Sequence, residues 1–232
     1  MPPLLVVFDL DGTLIDTAPD LVDSLNYTIA ARQLAPVSYA DLTHLVGHGA
    51  RAMIERAFQL RNSPLDEGDI QPMLNRFIEH YRAGMPGKSV PYPGLLGALD
   101  RLADAGILAA VCTNKMESLA HPLLEGLGLA ERFAAITGGD TFVARKPDPE
   151  HLLGTIRLAG GDVSHTVMVG DSLNDMRVAA NTGVPSIAVP FGYSDVPVER
   201  LDPSTIIQHF DELTPALIEQ LLATKKRPAA AS

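Results

Sequence analysis

Five short runs of apolar and β-branched residues recur along the chain, and each has the length of a β-strand. They span residues 4–8, 107–112, 134–137, 166–169 and 186–189. Their hydrophobicity is continuous rather than alternating, which is typical of strands buried on both faces of a sheet. From the second run onward, segments of helical character separate them, including 95–105 and 149–158. This alternation predicts an α/β fold, with a Rossmann-like core and a parallel sheet of about five strands.

The interval between the first and second runs is too long for a single crossover helix. A capping-box pattern at Thr17-Ala-Pro-Asp20 precedes apolar residues at helical spacing, and a second helical pattern covers residues 70–81. Between them, the string GHGAR (47–51) opens a helix that we expect to continue to Leu60. The prolines and glycines of MPGKSVPYPG (85–94) indicate a linker back to the core. The sequence therefore predicts a helical domain, 17–85, inserted into a core formed by 1–16 and 86–232.

Composition narrows the class of protein. The 232 residues are 46% hydrophobic, which is enough for one sizeable core, and no apolar run approaches the roughly 20 residues that a bilayer requires. The formal charge of −10 argues against a nucleic-acid surface, because the only basic run lies at 225–227 in a tail, 225–232, that we expect to be disordered. The single cysteine, Cys112, excludes an internal disulfide. We expect a cytoplasmic protein without membrane or nucleic-acid partners, either monomeric or homodimeric.

Polar side chains follow four of the predicted strands at the point where each strand ends. They are Asp9 and Asp11 after the first run, Thr113 and Asn114 after the second, Lys146 after the third, and Asp171 and Asp175 after the fourth. Ligands of open parallel sheets bind at the carboxyl ends of the strands. Because four carboxylates in one crevice would repel one another, the pattern predicts a bound cation.

The ligand types favour magnesium. Carboxylate oxygens, backbone carbonyls and water suit a hard ion, and a few carboxylates that share their metal with a phosphate are typical of Mg²⁺. His44 and His48 have the helical spacing of a zinc pair, but glycines flank His48 and no glutamate follows His44. We therefore do not predict a zinc site there.

An anion site is predicted beside the metal. Gly12 and Thr13 form a tight turn whose backbone N–H groups could approach an anion. Thr113 adds a hydroxyl donor, and Lys146 adds a charge that can bridge a carboxylate and a phosphoryl oxygen. These groups around two aspartates indicate phosphoryl transfer to or from a small phosphate ester.

Four motifs resemble those of the haloacid dehalogenase superfamily of phosphatases. They are DLDGT (9–13), VCT (111–113), KPD (146–148) and GDSLND (170–175). The resemblance implies that Asp9 attacks phosphorus and that Asp11 protonates the leaving group and then activates water. It also implies metal ligation by Asp9, the Asp11 carbonyl and Asp171, with Asp175 in the outer shell. The phosphoryl group would be held by Thr113, the Asn114 backbone and Lys146.

The inserted helical domain resembles the cap that closes over the site in this family and selects the leaving group. It contains no lysine between Thr17 and Met85, which argues against a phosphonoacetaldehyde hydrolase. A dehalogenase would need neither a second aspartate nor magnesium. The strings VCTNK, GHGAR and GGD resemble bacterial phosphoglycolate phosphatases, so we expect hydrolysis of 2-phosphoglycolate.

Other readings stay open at this point. A β-phosphoglucomutase-type isomerase shares the four motifs, and a sugar-phosphate phosphatase, such as one acting on N-acetylmuramic acid 6-phosphate, is related. A non-catalytic phosphate-binding module is disfavoured because Asp9 and Asp11 are both present. For substrate binding, Arg51 could receive a carboxylate at a helix N-terminus, or it could simply pair with Glu55 at i,i+4.

Overall fold

The computed structural model describes residues 2–41 and 49–225 of the chain. The histidine pair at 44 and 48, the first part of the GHGAR string and nearly all of the predicted tail lie outside the described residues. Within the described residues, no helix is both long and apolar enough to cross a membrane.

The described residues contain eight strands and eight helices. The strands are β1 (Leu5–Phe8), β2 (Ile15–Asp16), β3 (Val90–Pro91), β4 (Leu108–Cys112), β5 (Ala135–Thr137), β6 (Thr166–Gly170), β7 (Ser186–Ala188) and β8 (Thr205–Ile206). The helices are α1 (Ala18–Ala30), α2 (Ala50–Leu60), α3 (Glu67–Gly84), α4 (Leu95–Asp104), α5 (Glu117–Gly126), α6 (Pro149–Leu158), α7 (Leu173–Thr182) and α8 (Pro215–Lys225).

Six of the strands form one parallel sheet in the order β5-β4-β1-β6-β7-β8. The α/β prediction is confirmed, with one strand more than the five hydrophobic runs. The additional strand, β8, is two residues long, which is too short to leave a recognisable apolar run. Because β1 lies between β4 and β6, the order of the strands along the chain reverses beside it, and this is where ligands bind in such sheets.

The central strand shows why its hydrophobic run is continuous. All four residues of β1 are fully buried, and alternate side chains point to opposite faces. Val6 and Phe8 pack in a cluster with residues of α4, α5 and α8. Leu5 and Val7 pack on the other face with residues of α6 and α7. Two helical layers therefore cover the sheet.

Helices α1, α2 and α3 form a separate hydrophobic cluster, which we call the helical insert. Leu25, Met53 and Phe77, one from each helix, are buried within it. The insert lies between β2 and β3, which pair antiparallel with Ile15 opposite Pro91 and Asp16 opposite Val90. The predicted boundaries at 17 and 85 fall close to these strands, and they stay a prediction.

The capping box expected at Thr17 is not formed. Thr17 is the N-cap of α1, but its side chain makes no capping hydrogen bond. Its hydroxyl donates instead to Asp11 Oδ1 at 2.7 Å, and the backbone N–H groups of Thr17 and Ala18 donate to the Tyr193 hydroxyl oxygen. The sequence pattern therefore predicted the start of α1, but the Thr17 side chain binds Asp11 instead of capping the helix.

Candidate active site

The site lies where three adjacent strands end at one edge of the sheet. Phe8 of β1 is in register with Val111 of β4 and with Val169 of β6. The residues that follow these strands therefore meet: Asp9 follows β1 directly, and Asp171 follows β6. Thr113 follows β4 and is also buried. The spatial convergence expected from the strand order is present.

Three buried carboxyl groups form a cluster at this edge. Asp9, Asp171 and Asp175 each offer an oxygen atom, and these atoms lie within 4.8 Å of one another. Burial, together with the Asp175 charge, raises the pKa of Asp9 to about 6, although Lys146 opposes the rise. Burial and the charges of Asp175 and Asp9 raise the pKa of Asp171 to about 8. Ionised together without a cation, the three acids are therefore unfavourable.

The donor set fits a hard divalent ion. The cluster consists of carboxylates and contains no nitrogen or sulfur ligand, as Mg²⁺ prefers. Both oxygens of Asp175 already have partners: Oδ1 accepts from Lys146 Nζ at 2.6 Å, and Oδ2 accepts from the backbone N–H and hydroxyl of Ser172. This arrangement suits an outer-shell role for Asp175.

Lys146 forms ion pairs with two of the three acids, Asp9 and Asp175. Its Nζ lies 2.9 Å from Asp9 Oδ1 and 2.6 Å from Asp175 Oδ1, and the side chain is almost completely buried. Burial by itself lowers the pKa of this lysine, but the Asp175 and Asp9 charges outweigh burial and raise it above its ordinary value. Lys146 is therefore a fixed positive charge beside Asp9.

The backbone of Lys146 is itself held by two side chains. The Lys146 N–H donates to His151 Nδ1 at 3.2 Å, and Asn114 Nδ2 donates to the Lys146 carbonyl at 3.0 Å. Burial and the nearby Lys146 charge lower the pKa of His151 to about 4, so the imidazole is neutral at pH 7. The sequence reasoning missed His151, although its position three residues after the KPD motif is a usable signal.

Backbone hydrogen bonds close the turn after Asp11. The N–H of Gly12 donates to the Ile15 carbonyl at 3.0 Å, and that of Thr13 donates to the Leu10 carbonyl at 3.3 Å. Both N–H groups therefore help to close the turn, and a contact between Gly12 and a phosphate stays a prediction. Gly12 has φ +80°, and a Cβ at this position would lie 2.6 Å from Asp171 Oδ2. The glycine permits close packing against the acid cluster.

Asp11 stands apart from the three-acid cluster and pairs with a lysine that the sequence reasoning did not single out. Lys115 Nζ lies 3.0 Å from Asp11 Oδ1 and 3.2 Å from Oδ2. The ammonium also lies 4.5 Å from the ring centroid of Tyr81, a buried residue of α3. Lys115 thus connects Asp11 to the helical insert. The motif string VCTNK contains this residue, but nothing in the string reveals its partners.

A cavity of about 910 Å³ lies between the strand ends and the helical insert. From the core it is lined by Asp9, Asp11, Thr113, Asn114, Lys115 and Lys146, and from the insert by Arg51, Met53, Phe77 and Tyr81 among others. Arg51 also donates to Glu55 at 2.7 Å and to Glu67 at 2.9 Å, and its side chain is half exposed. The simpler i,i+4 pairing is thus present, and a substrate role for Arg51 stays a prediction.

Tyr193 is a second residue that sequence reasoning missed. Its backbone N–H donates to Asp171 Oδ2 at 2.7 Å, while its hydroxyl donates to Asp16 Oδ1 at 2.6 Å. The same hydroxyl accepts from the first N–H groups of α1. One residue therefore connects the acid cluster to the start of the helical insert.

Comparisons with known proteins agree over nearly the whole chain. A sequence profile for haloacid dehalogenase-like hydrolases matches residues 6–189. A phosphoglycolate phosphatase from Agrobacterium fabrum is 64% identical over 219 residues, which are 94% of each chain. Another, from Mesorhizobium japonicum, is 52% identical over 94% of this chain and 96% of its own. The crystal structure of a predicted phosphoglycolate phosphatase from Haemophilus somnus has a TM-score of 0.85 at 27% identity, covering 91% of this chain and 96% of that one.

Proposed function

Because this chain belongs to the family of haloacid dehalogenase-like hydrolases, we propose that it is a phosphatase that converts 2-phosphoglycolate to glycolate and inorganic phosphate. The main support for a phosphatase is a cluster of three acids and one lysine at adjacent strand ends, formed by Asp9, Asp171, Asp175 and Lys146. The relatives at 64% and 52% identity, both named phosphoglycolate phosphatase, support the substrate. They favour it over the isomerase and sugar-phosphate alternatives.

The proposed reaction has two displacements at phosphorus. In the first, a carboxylate oxygen of Asp9 attacks, the bond to the ester oxygen breaks, and Asp11 gives its proton to the departing alkoxide. In the second, Asp11 takes a proton from water, which attacks the aspartyl-phosphate, breaks the bond to Asp9 and releases phosphate. Thr113, the Asn114 backbone and Lys146 hold the phosphoryl oxygens.

Asp9, Asp171 and the backbone carbonyl of Asp11 are the groups that would hold Mg²⁺, with Asp175 in the outer shell. When bound, the ion supplies positive charge that reduces the repulsion between the acids and the phosphoryl group. The helical insert covers the cavity and restricts access of bulk water to Asp9 during the first displacement. We also retain as proposals a cytoplasmic location and a monomeric or homodimeric state.

Steady-state release of phosphate from a panel of esters tests this function. We expect 2-phosphoglycolate to give a higher kcat/KM than glucose 6-phosphate and N-acetylmuramic acid 6-phosphate. A sugar phosphate as the better substrate would contradict the assignment and leave the reaction type intact. Conversion of β-glucose 1-phosphate to glucose 6-phosphate with little free phosphate would instead indicate the isomerase.

The reaction type has its own test. Excess chelator should abolish phosphate release and added Mg²⁺ should restore it. Asp9→Asn should lower kcat by about 10⁴-fold or more, because the amide cannot act as the nucleophile. Undiminished hydrolysis by Asp9→Asn would contradict the aspartyl-phosphate route. Its unfolding transition, compared with that of the unaltered chain, shows whether the variant is folded.

A further inference from the structure

The positively charged side chains that line the cavity differ in how many carboxylates of the protein they already contact. This number decides how easily each could bind an anionic group of the substrate other than its phosphate. Lys146 is committed to Asp9 and Asp175, at 2.9 and 2.6 Å. Arg51 lies on the helical insert and is bound to two glutamates. Among the described residues, Lys115 has a single carboxylate partner, Asp11, and its side chain is only 5% exposed. Of the two buried lysines that line the cavity in the described part of the chain, Lys115 has fewer carboxylate partners than Lys146.

Tyr81 provides a second donor beside Lys115. Its hydroxyl is buried, and no acceptor for its proton lies within hydrogen-bond distance among the described residues. The Lys115 ammonium, which lies over the same ring, is itself a donor and cannot accept that proton. A buried hydroxyl donor without an acceptor is costly, and here it stands next to a buried ammonium in a ligand cavity. Both groups would be satisfied by a carboxylate.

Asp11, the carboxylate partner of Lys115, has several groups to contact. Both Asp11 oxygens contact Lys115 Nζ, and Oδ1 also accepts from the Thr17 hydroxyl. Under the proposed function, Asp11 must contact the ester oxygen of the substrate, so at least one of these contacts has to be released. The buried ammonium then needs another anion.

The chemistry of 2-phosphoglycolate supplies that anion at the right place. Its carboxylate carbon is two bonds from the ester oxygen, so its receptor must lie close to the residue that contacts this oxygen. Lys115 contacts Asp11 directly, whereas Arg51 lies on the other wall of the cavity.

We propose that Lys115 and Tyr81 together form the receptor for a carboxylate on the leaving group. The site therefore selects small phosphate esters whose alcohol carries a carboxylate next to the ester carbon. This inference rests on the proposed function and assigns its specificity to a pair of residues. Lys115 replaces its contact with Asp11 by one with the substrate, and Tyr81 contributes its unused proton.

The test compares two esters that differ in one group. 2-Hydroxyethyl phosphate has a neutral hydroxymethyl group where 2-phosphoglycolate has its carboxylate. The measured quantity is the ratio of their kcat/KM values in the presence of Mg²⁺. Lys115→Met should lower the preference for 2-phosphoglycolate by at least about tenfold, the loss typical of one charge-assisted hydrogen bond. Tyr81→Phe, which keeps the ring, should lower it by a smaller factor.

Two comparison variants make the result specific. Lys88→Met removes a lysine from an exposed ion pair with Asp23, outside the cavity, and should leave the ratio unchanged. Arg51→Met tests a cation on the opposite wall of the cavity. Loss of the preference in Arg51→Met but not in Lys115→Met would overturn the inference. Equal losses on both esters in Lys115→Met would also overturn it, because they would indicate that Lys115 only positions Asp11.

A binding measurement separates recognition from chemistry. 3-Phosphonopropionate, a non-hydrolysable analogue of 2-phosphoglycolate, should bind the unaltered enzyme more tightly than propylphosphonate, and Lys115→Met should remove most of that difference in calorimetric titrations. If Lys115→Met does not fold, Lys115→Arg and Tyr81→Phe carry the same comparison: an unchanged ratio in Tyr81→Phe contradicts the two-donor receptor. If the unaltered enzyme shows no preference for 2-phosphoglycolate, the proposed function itself is wrong.

Discussion

The site contains two buried lysines with opposite relations to their surroundings. Lys146 lies between two carboxylates of the core, and His151 and Asn114 hold its backbone. Within the described part of the chain, Lys115 has one carboxylate partner, Asp11, and contacts the aromatic ring of Tyr81 from the helical insert. The first charge is satisfied by the protein alone. The second can exchange its partner for a substrate group. Under the proposed function, Lys146 would therefore serve the phosphoryl end of the substrate and Lys115 its alcohol end.

The largest predicted effect is the loss of stability in Lys146→Met, which we compare with the loss in Lys115→Met. Lys146→Met leaves two buried carboxylates without their cation, so we expect a loss of about 3–5 kcal/mol in the free energy of unfolding. Lys115→Met removes one ion pair and leaves Asp11 with its Thr17 contact, so we expect a smaller loss of about 1.5–3 kcal/mol. Urea titrations of both variants without metal give the two values.

Magnesium provides the control for that pair of variants. Under the proposed function a divalent ion binds Asp9, so added Mg²⁺ should recover part of the stability lost in Lys146→Met and much less of that lost in Lys115→Met. Equal losses in the two variants, with or without Mg²⁺, would contradict the distinction between them.

A pH effect of similar size tests how Lys146 is held. The pKa of His151 is about 4 in the folded chain, below the ordinary 6.5, so the unfolded state binds the extra proton between these values. His151 therefore favours folding above pH 6.5, and this contribution is lost as the pH falls towards 4, by about 3 kcal/mol.

The variant His151→Asn isolates this contribution. An amide oxygen can replace Nδ1 as the acceptor for the Lys146 N–H, but it does not titrate. The stability difference between the unaltered chain and His151→Asn should change in favour of the variant as the pH is lowered from 6.5 to 4. A difference that is independent of pH would contradict the neutral, buried state of the imidazole.

A smaller effect is expected at the connection between the acid cluster and the helical insert. Tyr193→Phe keeps the backbone contact to Asp171 but removes the oxygen that accepts from the first N–H groups of α1. We expect a loss of about 1–2 kcal/mol, comparable to removal of a helix N-cap. Thermal or urea unfolding measures it. An unchanged midpoint would show that other groups satisfy these donors.

The smallest effect concerns Arg51. Its pairs with Glu55 and Glu67 are exposed, and such ion pairs contribute little to folding. Arg51→Met should therefore shift the urea midpoint by no more than the error of the measurement. A clear destabilisation would indicate that this arginine fixes the helical insert more firmly than its exposure suggests.

The sequence was most informative about the buried strands and about the residues that follow their carboxyl ends. Buried strands such as β1 leave a strong signal, and parallel order brings their carboxyl ends together, so the positions of Asp9 and Asp171 follow from local pattern and general sheet geometry. The α/β fold is confirmed on this basis. The catalytic and metal-binding roles assigned to these residues stay predictions.

What the sequence could not supply depends on contacts between distant segments. The partner of Lys115 is 104 residues away in the chain, and Thr17 and Tyr193 are 176 residues apart. Nothing local distinguishes Lys115 from a surface lysine, or Thr17 from an ordinary helix cap. The donor role of Gly12 stays a prediction; in the structure its N–H group donates to the Ile15 carbonyl and closes the turn.

The short antiparallel pair of β2 and β3 affects how the helical insert can evolve. Both chain crossings into the helical insert lie side by side, with Asp16 opposite Val90. Antiparallel neighbours of this kind can be joined by a tight hairpin, so the length of what lies between them places little strain on the sheet. Recombination can therefore replace the helical insert by one of another length, while the residues at the strand ends of the core stay in place.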